Sequence, residues 1–331
     1  MKHYPKQTLQ LPLHSQLVLM SKQLFVIGLI ILCCFFNSNI KAQLTYQTLR
    51  IEYDSGWTYK NLTLIPIRFK EHTYPLFNFP SKVISLKDAM QSGKLKFKEF
   101  YFEKDATVRI LSVENTGNDF VLLQDGEMIA GGKQDRMLAE SKIIYPNQKD
   151  QFENVFCIEQ NRWDKKPKPF RYAGDADDDL KRIMDQTNQQ QFIWKEIDRR
   201  LYVRGEISKT SAFLQLNNNT PQDTAYTNFF TKKMKESDSL FAGFIAITDT
   251  TVISCEVFAT TSLALTSYNS MLQGWINSAL FNGKKPDMPY KRLKIFTDAL
   301  FENEEKQKIF LQKHGKAFIC EKKVFHIVAH G

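Results

Sequence analysis

In KLKFKEF (Lys94–Phe100) polar and apolar residues alternate from Lys94 to Lys98, the period of a strand with one buried face. Short apolar runs of the same kind lie on both sides of it. From Thr45 to Phe69, TYQTLRIEY and KNLTLIPIRF read as two strands joined at the turn DSGW. VRILSVEN, FVLLQ, EMIAG, SKIIYP and ENVFCIEQ follow as further strands, with TGND as a turn between the first two. Asp125-Gly126 is a strong two-residue hairpin signal and predicts that FVLLQ folds back onto EMIAG. One short helix interrupts the series. Ser85 caps LKDAMQS, Asp88 stands in the capping-box position, and Gly93 ends the helix.

Past residue 170 the period lengthens. Asp177 to Leu201 reads as helix, with acids in the first turn where the dipole favours them and an apolar stripe of Leu180, Ile183 and Met184. The stripe drifts to Ile193, Ile197 and Leu201 across QTNQQQ, which predicts a bend there. Residues 224–241, Thr261–Leu280 and Phe301–Lys313 are the other helical stretches, and GFIAIT with TVISCEVFA forms a hairpin around Asp249. WDKKPKPFR (Trp163–Arg171), broken by two prolines, reads as a solvated linker. The expected class is α+β: an antiparallel, hairpin-built, β-rich half at 43–170, then a helix-rich half with a further β-hairpin at 171–331, the two packed as one family unit.

The first 42 residues carry a different pattern. Lys22 precedes the apolar run Leu24–Phe36, polar NSN follows, and Ala42 offers a small residue for cleavage, the layout of a secretory leader. The run is shorter than the roughly 20 residues that span a bilayer. Translation from Met20 would keep everything the leader needs. Cys33 and Cys34 follow Leu32 rather than a small residue, which argues against a lipoprotein cut. The expected destination is therefore secreted or periplasmic. The alternative is an anchor formed by an uncleaved leader, and membrane contact is expected only by that route.

Charge changes this picture little. The net charge is +9, but the leader holds four lysines and no acid, leaving 41 basic against 36 acidic residues and no long basic run, so nucleic acid is not an expected partner. Of 331 residues, 43% are hydrophobic, ample for a packed core without disulfides. Beyond the leader only Cys157, Cys255 and Cys320 remain, an odd number without a C-x-x-C pair or zinc spacing, so no metal and no cofactor is expected. Pairing of these thiols and the oligomeric state stay open.

The chemistry concentrates where an apolar run breaks without an ordinary turn. In Phe120–Pro146 (FVLLQDGEMIAGGKQDRMLAESKIIYP), Gly131-Gly132 is followed at once by Lys133, Gln134, Asp135 and Arg136. Paired glycines permit positive φ or close approach of another backbone. In extended chain Gln134 and Arg136 share a face opposite Lys133 and Asp135. The run NVFCIEQNRW ends in Glu159, which can accept from an arginine, then Asn161, a residue that tolerates left-handed backbone, then Arg162 and the stacking face of Trp163. Two strand ends and their loops are thus expected to bring Gly131, Gly132, Lys133, Gln134, Arg136, Glu159, Arg162 and Trp163 to one polar site that binds a small polar or anionic ligand. Glu159 or Asp135 would serve as base if it were catalytic.

The segments LKDAMQSG (86–93), VEN (113–115), GEMIAGGKQDR (126–136), VFCIEQNRW (155–163) and FIWKEI (192–197) occur in order, followed by GFIAIT and VFATTSLALTSYNSMLQGW. Together, from residue 60 to residue 280, they resemble the domain family named for its association with ADP-ribosylglycohydrolases and rhodanese/phosphatase-superfamily proteins. The family pattern usually has Gly where Asn161 stands. The resemblance implies a link to NAD and ADP-ribose metabolism, hence the alternative of a hydrolase acting on an ADP-ribose-like or other phosphorylated substrate; the secretory leader points away from NAD, a cytosolic metabolite. A third alternative is a structural or partner-binding protein in which the cluster is an internal salt-bridge brace.

Other features read as structural. Cys157 sits in an apolar run, and a thiol enzyme would need His72, His314, His326 or His330 as base. His326 and His330 lie in the β-branched VFHIVAH, a strand or a frayed tail. Asp175 and Asp177–Asp179 lack the glycine and distal Glu of a calcium loop and suit a helix start. Lys133 after two glycines lacks the spacing of a phosphate loop.

Overall fold

The computed structural model describes residues 44–73, 76–77, 79, 81–102, 105–216, 221–237 and 240–331; the leader read at residues 1–42 lies outside them. In chain order the first half holds β1 (Leu49–Ile51), β2 (Trp57–Tyr59), β3 (Leu62–Phe69), β4 (Val83–Ser85), α1 (Leu86–Gln91), β5 (Leu95–Phe102) and β6 (Asp105–Asn115). It continues with β7 (Phe120–Leu123), β8 (Glu127–Gly132), β9 (Arg136–Leu138), β10 (Lys142–Ile144), β11 (Gln151–Cys157) and β12 (Lys168–Asp175). Then come α2 (Asp178–Thr187), α3 (Gln190–Arg204), α4 (Pro221–Glu236), β13 (Phe241–Thr248), β14 (Thr251–Phe258), α5 (Thr261–Phe281), α6 (Tyr290–Phe301), α7 (Glu304–His314), β15 (Gly315–Cys320) and β16 (Lys323–Ala329). The class is α+β, with a β-rich first half.

The strands form three sheets among the described residues. One runs β1-β3-β13-β14-β16-β15 with β2 also on β3, one runs β10-β7-β4, and the third runs β12-β8-β9-β11-β6-β5. The first sheet joins both halves of the chain, since β3 pairs with β13 (Ile65↔Ile245). Its alternation feeds two cores. Leu62, Leu64, Phe244 and Ala246 pack toward α5, whereas Ile65, Ile67, Ile245 and Val257 pack toward α6 and α7. The third sheet encloses a further core with α1, built on Leu95, Phe97, Leu111, Val113 and Val155.

Local signals placed several elements as expected. The Ser85 hydroxyl accepts from the Asp88 N–H at the start of α1, and Gly93 follows its end at φ +71. β13 and β14 form the hairpin around Asp249, which takes φ +50. The helix read across 177–201 is two helices, because Asn188 adopts the left-handed conformation (φ 48) and closes α2.

Two expectations are corrected. The Asp125-Gly126 turn exists, with the Glu127 N–H bonded to the Gln124 carbonyl, but it is no hairpin: β7 pairs with β4 and β10, while β8 pairs with β9 and β12. The turn hands the chain from one sheet to another. The two strands read around DSGW do pair, β1 antiparallel with β3, and between them lie a 3-10 turn at Tyr53–Ser55 and the short strand β2, itself paired with β3. The stretch read as a solvated linker ends in β12, paired with β8 from Lys168↔Gly132 to Asp175↔Glu127. Last, periodicity does not single out α6 and β15. Cys157, Cys255 and Cys320 are all buried free thiols.

Candidate functional site

The segments after the double glycine and after β11 do converge. Gly131 and Gly132 take φ +126 and +53, and a Cβ there would lie 2.5 Å from the Pro169 carbonyl oxygen and 2.1 Å from Phe170 Cζ. Only glycine lets β12 cross so closely. Arg162 then fills the corner. Its Nε donates to Glu159 Oε2 (2.6 Å), Nη1 to the Gly132 carbonyl (3.1 Å) and Asp164 Oδ2 (2.7 Å), and Nη2 to the Gly131 carbonyl (3.1 Å) and Asp135 Oδ1 (2.8 Å). Five bonds match the five N–H groups of a guanidinium. Gln134 donates to the carbonyls of Glu159 (3.0 Å) and Gln160 (3.2 Å), and Arg136 Nη1 donates to Gln134 Oε1 (3.3 Å), so Gln134 and Arg136 share a face as expected.

The convergence leaves little for a ligand. Arg162 has no donor to spare. Arg136 keeps Nε and Nη2 unpartnered but is 0% exposed. Trp163 is exposed, with the Lys133 ammonium 5.1 Å from its ring centroid. Both candidate bases, Glu159 and Asp135, are tied to Arg162. Asn161 does not take positive φ; its N–H donates to the Thr210 carbonyl (3.0 Å). Burial raises the Cys157 thiol, which donates to the Glu159 carbonyl (3.2 Å) and is no nucleophile.

Two large cavities lie elsewhere, and of the eight expected ligand-binding residues only Gly132 lines one of them. The larger is a cleft of about 1390 Å³ between α1, β12, α3, α4 and α5. The α5 wall is unusual. This helix of 21 residues contains no charged side chain, and Thr266, Asn269, Ser270, Gln273 and Asn277 recur on the helical period as the stripe that lines the cleft. Gln273 Nε2 donates to Asn277 Oδ1 (3.1 Å), leaving one amide oxygen and one amide nitrogen of the pair for the cleft. Beside the stripe stand Glu127 and Asp175, cross-strand partners of β8 and β12 that both line the cleft.

These two carboxyls differ in surroundings. Asp175 accepts from Tyr172 Oη (2.7 Å) and from Ser270 Oγ, whereas Glu127 Oε2 accepts from the Gln124 N–H (2.8 Å). Burial, then the charge of Asp175, raises Glu127 well above the ordinary carboxyl range. Burial also raises Asp175, while the Ser270 and Tyr172 hydroxyls hold it back. The cleft lining thus holds hydroxyl, carboxyl and amide groups.

Behind the floor lies a buried ionic network. Lys181 Nζ sits 2.7 Å from Glu256 Oε1 and 3.8 Å from Asp125 Oδ2. Burial alone would lower Lys181, but Asp125, Glu256 and Asp178 hold its ammonium well above the usual value. Burial likewise pushes Glu256 up, yet Lys181 and His326 bring it down to about 2. Ser141 Oγ donates to Asp125 Oδ1 (2.7 Å), and His326 Nδ1 lies 2.9 Å from Ser141. Ser141, His326 and Glu256 have the atoms of a nucleophilic triad, but Ser141 is 5% exposed and its proton is committed to Asp125. Among the described residues no group of three His, Cys, Asp or Glu is placed to hold a metal. His330, at the end of β16, bonds Asp185 Oδ2 (3.0 Å) and fastens that strand to α2.

Local sequence patterns single out neither Glu127 nor the α5 stripe, and they place Asp175 only at a helix start. A signal existed: a helix with a buried apolar face and a strictly uncharged polar stripe is an odd choice for bulk water, where lysine and glutamate normally stand. Comparison with known proteins adds one finding. Residues 50–327 match the ARPP-1 domain, the ARG and Rhodanese-Phosphatase-superfamily-associated Protein domain. No curated protein and no solved structure matches the chain.

Proposed function

The chain belongs to the ARPP-1 domain family, and from that premise we propose that it binds a small, polar, hydroxyl-bearing molecule in the cleft over α5. The matched region contains every residue lining the cleft, so the cleft is part of the family unit. One observation carries the reading: the uncharged stripe of amides and hydroxyls on α5, Glu127 and its cross-strand partner Asp175 line one cleft of about 1390 Å³. Hydroxyl groups both donate and accept, and this lining supplies partners of both kinds. The Arg162 cluster has the role of an internal brace that holds the β8–β9 loop against the loop after β11. A hydrolase using Glu159 or Asp135 as base finds no support, since Arg162 holds both carboxylates.

Calorimetry and thermal shift of the full chain against glucose, ribose, adenosine and ADP-ribose test the proposal. At least one should raise the melting temperature. Gln273→Ala and Asn269→Ala should each weaken its binding by about 5- to 10-fold, the worth of about one hydrogen bond, while leaving the unliganded melting temperature within a degree or two. Equal affinity in both variants, or no binding of any probe, would refute it. Export belongs to the same proposal and rests on the leader pattern at Lys22, Leu24–Phe36 and Ala42. A mature chain beginning at residue 43 is the expected result of N-terminal sequencing. Among the described residues no helix is long and apolar enough to cross a membrane.

A further inference from the structure

Strand β12 is a wall of two cavities. Gln91, Arg171 and Tyr172 line the polar cleft and also a second groove of about 850 Å³, so the two are neighbours across these residues. The groove runs between the end of α1, β5 and β12, and its walls are apolar: Met90, Leu95, Phe97, Pro169 and Phe170, with Tyr101, 48% exposed, at its mouth.

Its existence follows from the sheet. β5 and β12 are the outer strands of the six-stranded sheet, each paired on one side only, yet the sheet curls enough to bring them together. Pro167 and Pro169 carry no N–H, so this end of β12 cannot close a ladder onto β5. The gap stays open and is lined by side chains. Gly132 shapes it, because a Cβ at that position would occupy the space of the Phe170 ring.

We infer, building on the cleft's role as a polar-ligand site, that the groove takes the apolar tail of the same molecule, which makes the ligand an amphiphile with a hydroxyl-bearing head and an alkyl or aryl tail. The lining shared at Gln91, Arg171 and Tyr172 is the reason for one occupant rather than two. The groove's volume lies within the range of small-molecule sites, about 300–1,000 Å³. A head and tail joined covalently gain over either alone because the second contact becomes intramolecular.

The test uses the fluorescent apolar probe 1-N-phenylnaphthylamine with the full chain. Its emission should rise on binding to wild type and to Gln273→Ala, and not with Tyr101→Asp or Phe170→Ser. n-Octyl β-glucoside below its micelle threshold should displace it at a concentration at least about 10-fold lower than 1-octanol, and this advantage should vanish in Gln273→Ala. Calorimetry with glucose separates the failures. Glucose binding without any probe response, or with octanol and octyl glucoside displacing alike, overturns the amphiphile and leaves the cleft reading standing. The second pattern is the one expected if an extended peptide pairing with the β5 edge were the true occupant. Absence of every response overturns both.

Discussion

Arg162 uses all its N–H groups inside the chain, on Glu159, Asp164, Asp135 and the carbonyls of Gly131 and Gly132. Arg162→Ala would take a donor from three carboxylates and two carbonyls, so the urea midpoint should fall by the equivalent of about 2–4 kcal/mol. Arg162→Lys should recover less than half of the loss, because a compact ammonium cannot span the same fork. Gly132→Ala should cost about 1–3 kcal/mol in the same assay, from a φ of +53 and overlap with Phe170. That these segments meet was legible in the sequence, from the glycine pair and the complementary Glu, Asp and Arg. That their bonds close on one another was not, since hydrogen-bond completeness depends on neighbours such as Asp164 that no spacing rule connects.

Asp177 carries two duties at the level of elements. Its Oδ1 accepts from the Leu180 N–H (3.1 Å) as the cap of α2, and its Oδ2 pairs with Arg200 of α3. Asp177→Asn keeps a cap and should lose mainly the ion pair; Asp177→Ala loses both and should be worse by about 1 kcal/mol in urea unfolding. The start of α2 could be read from its acids, but not the tie to α3, which needs the reversal at Asn188. Asp125-Gly126 shows the converse. The turn is local and was readable, whereas its strands separated because β7 and β8 each found better partners in other sheets. β12 was hidden by prolines that a sheet tolerates at its edge.

At the level of the molecule the buried ionic groups set a pH response of two signs. Glu256 titrates near 2 in the folded chain against an ordinary 4.5, so its contribution is present above about pH 4.5 and is lost as pH falls toward 2. Glu256→Gln should cost about 3 kcal/mol at pH 7 by leaving Lys181 under-compensated, and much less near pH 2. Glu127 is raised, so its contribution is full below about 4.5 and declines as pH rises. Glu127→Gln should therefore gain stability relative to wild type between pH 4 and pH 8, measured by urea unfolding at each pH. By itself the sequence determined what sums over neighbours in the chain: the α+β class, the cap of α1, the acidic start of α2, the β13–β14 hairpin, and the special backbone of the glycine pair. Tertiary structure alone decided which strands share a sheet, that the arginine cluster closes on itself, and that Glu127, Asp175 and the α5 stripe, up to 150 residues apart, face one cleft. Sheet partnership and cavity walls arise from competition among distant segments for burial, and a local pattern records a segment's preference but not the winner of that competition.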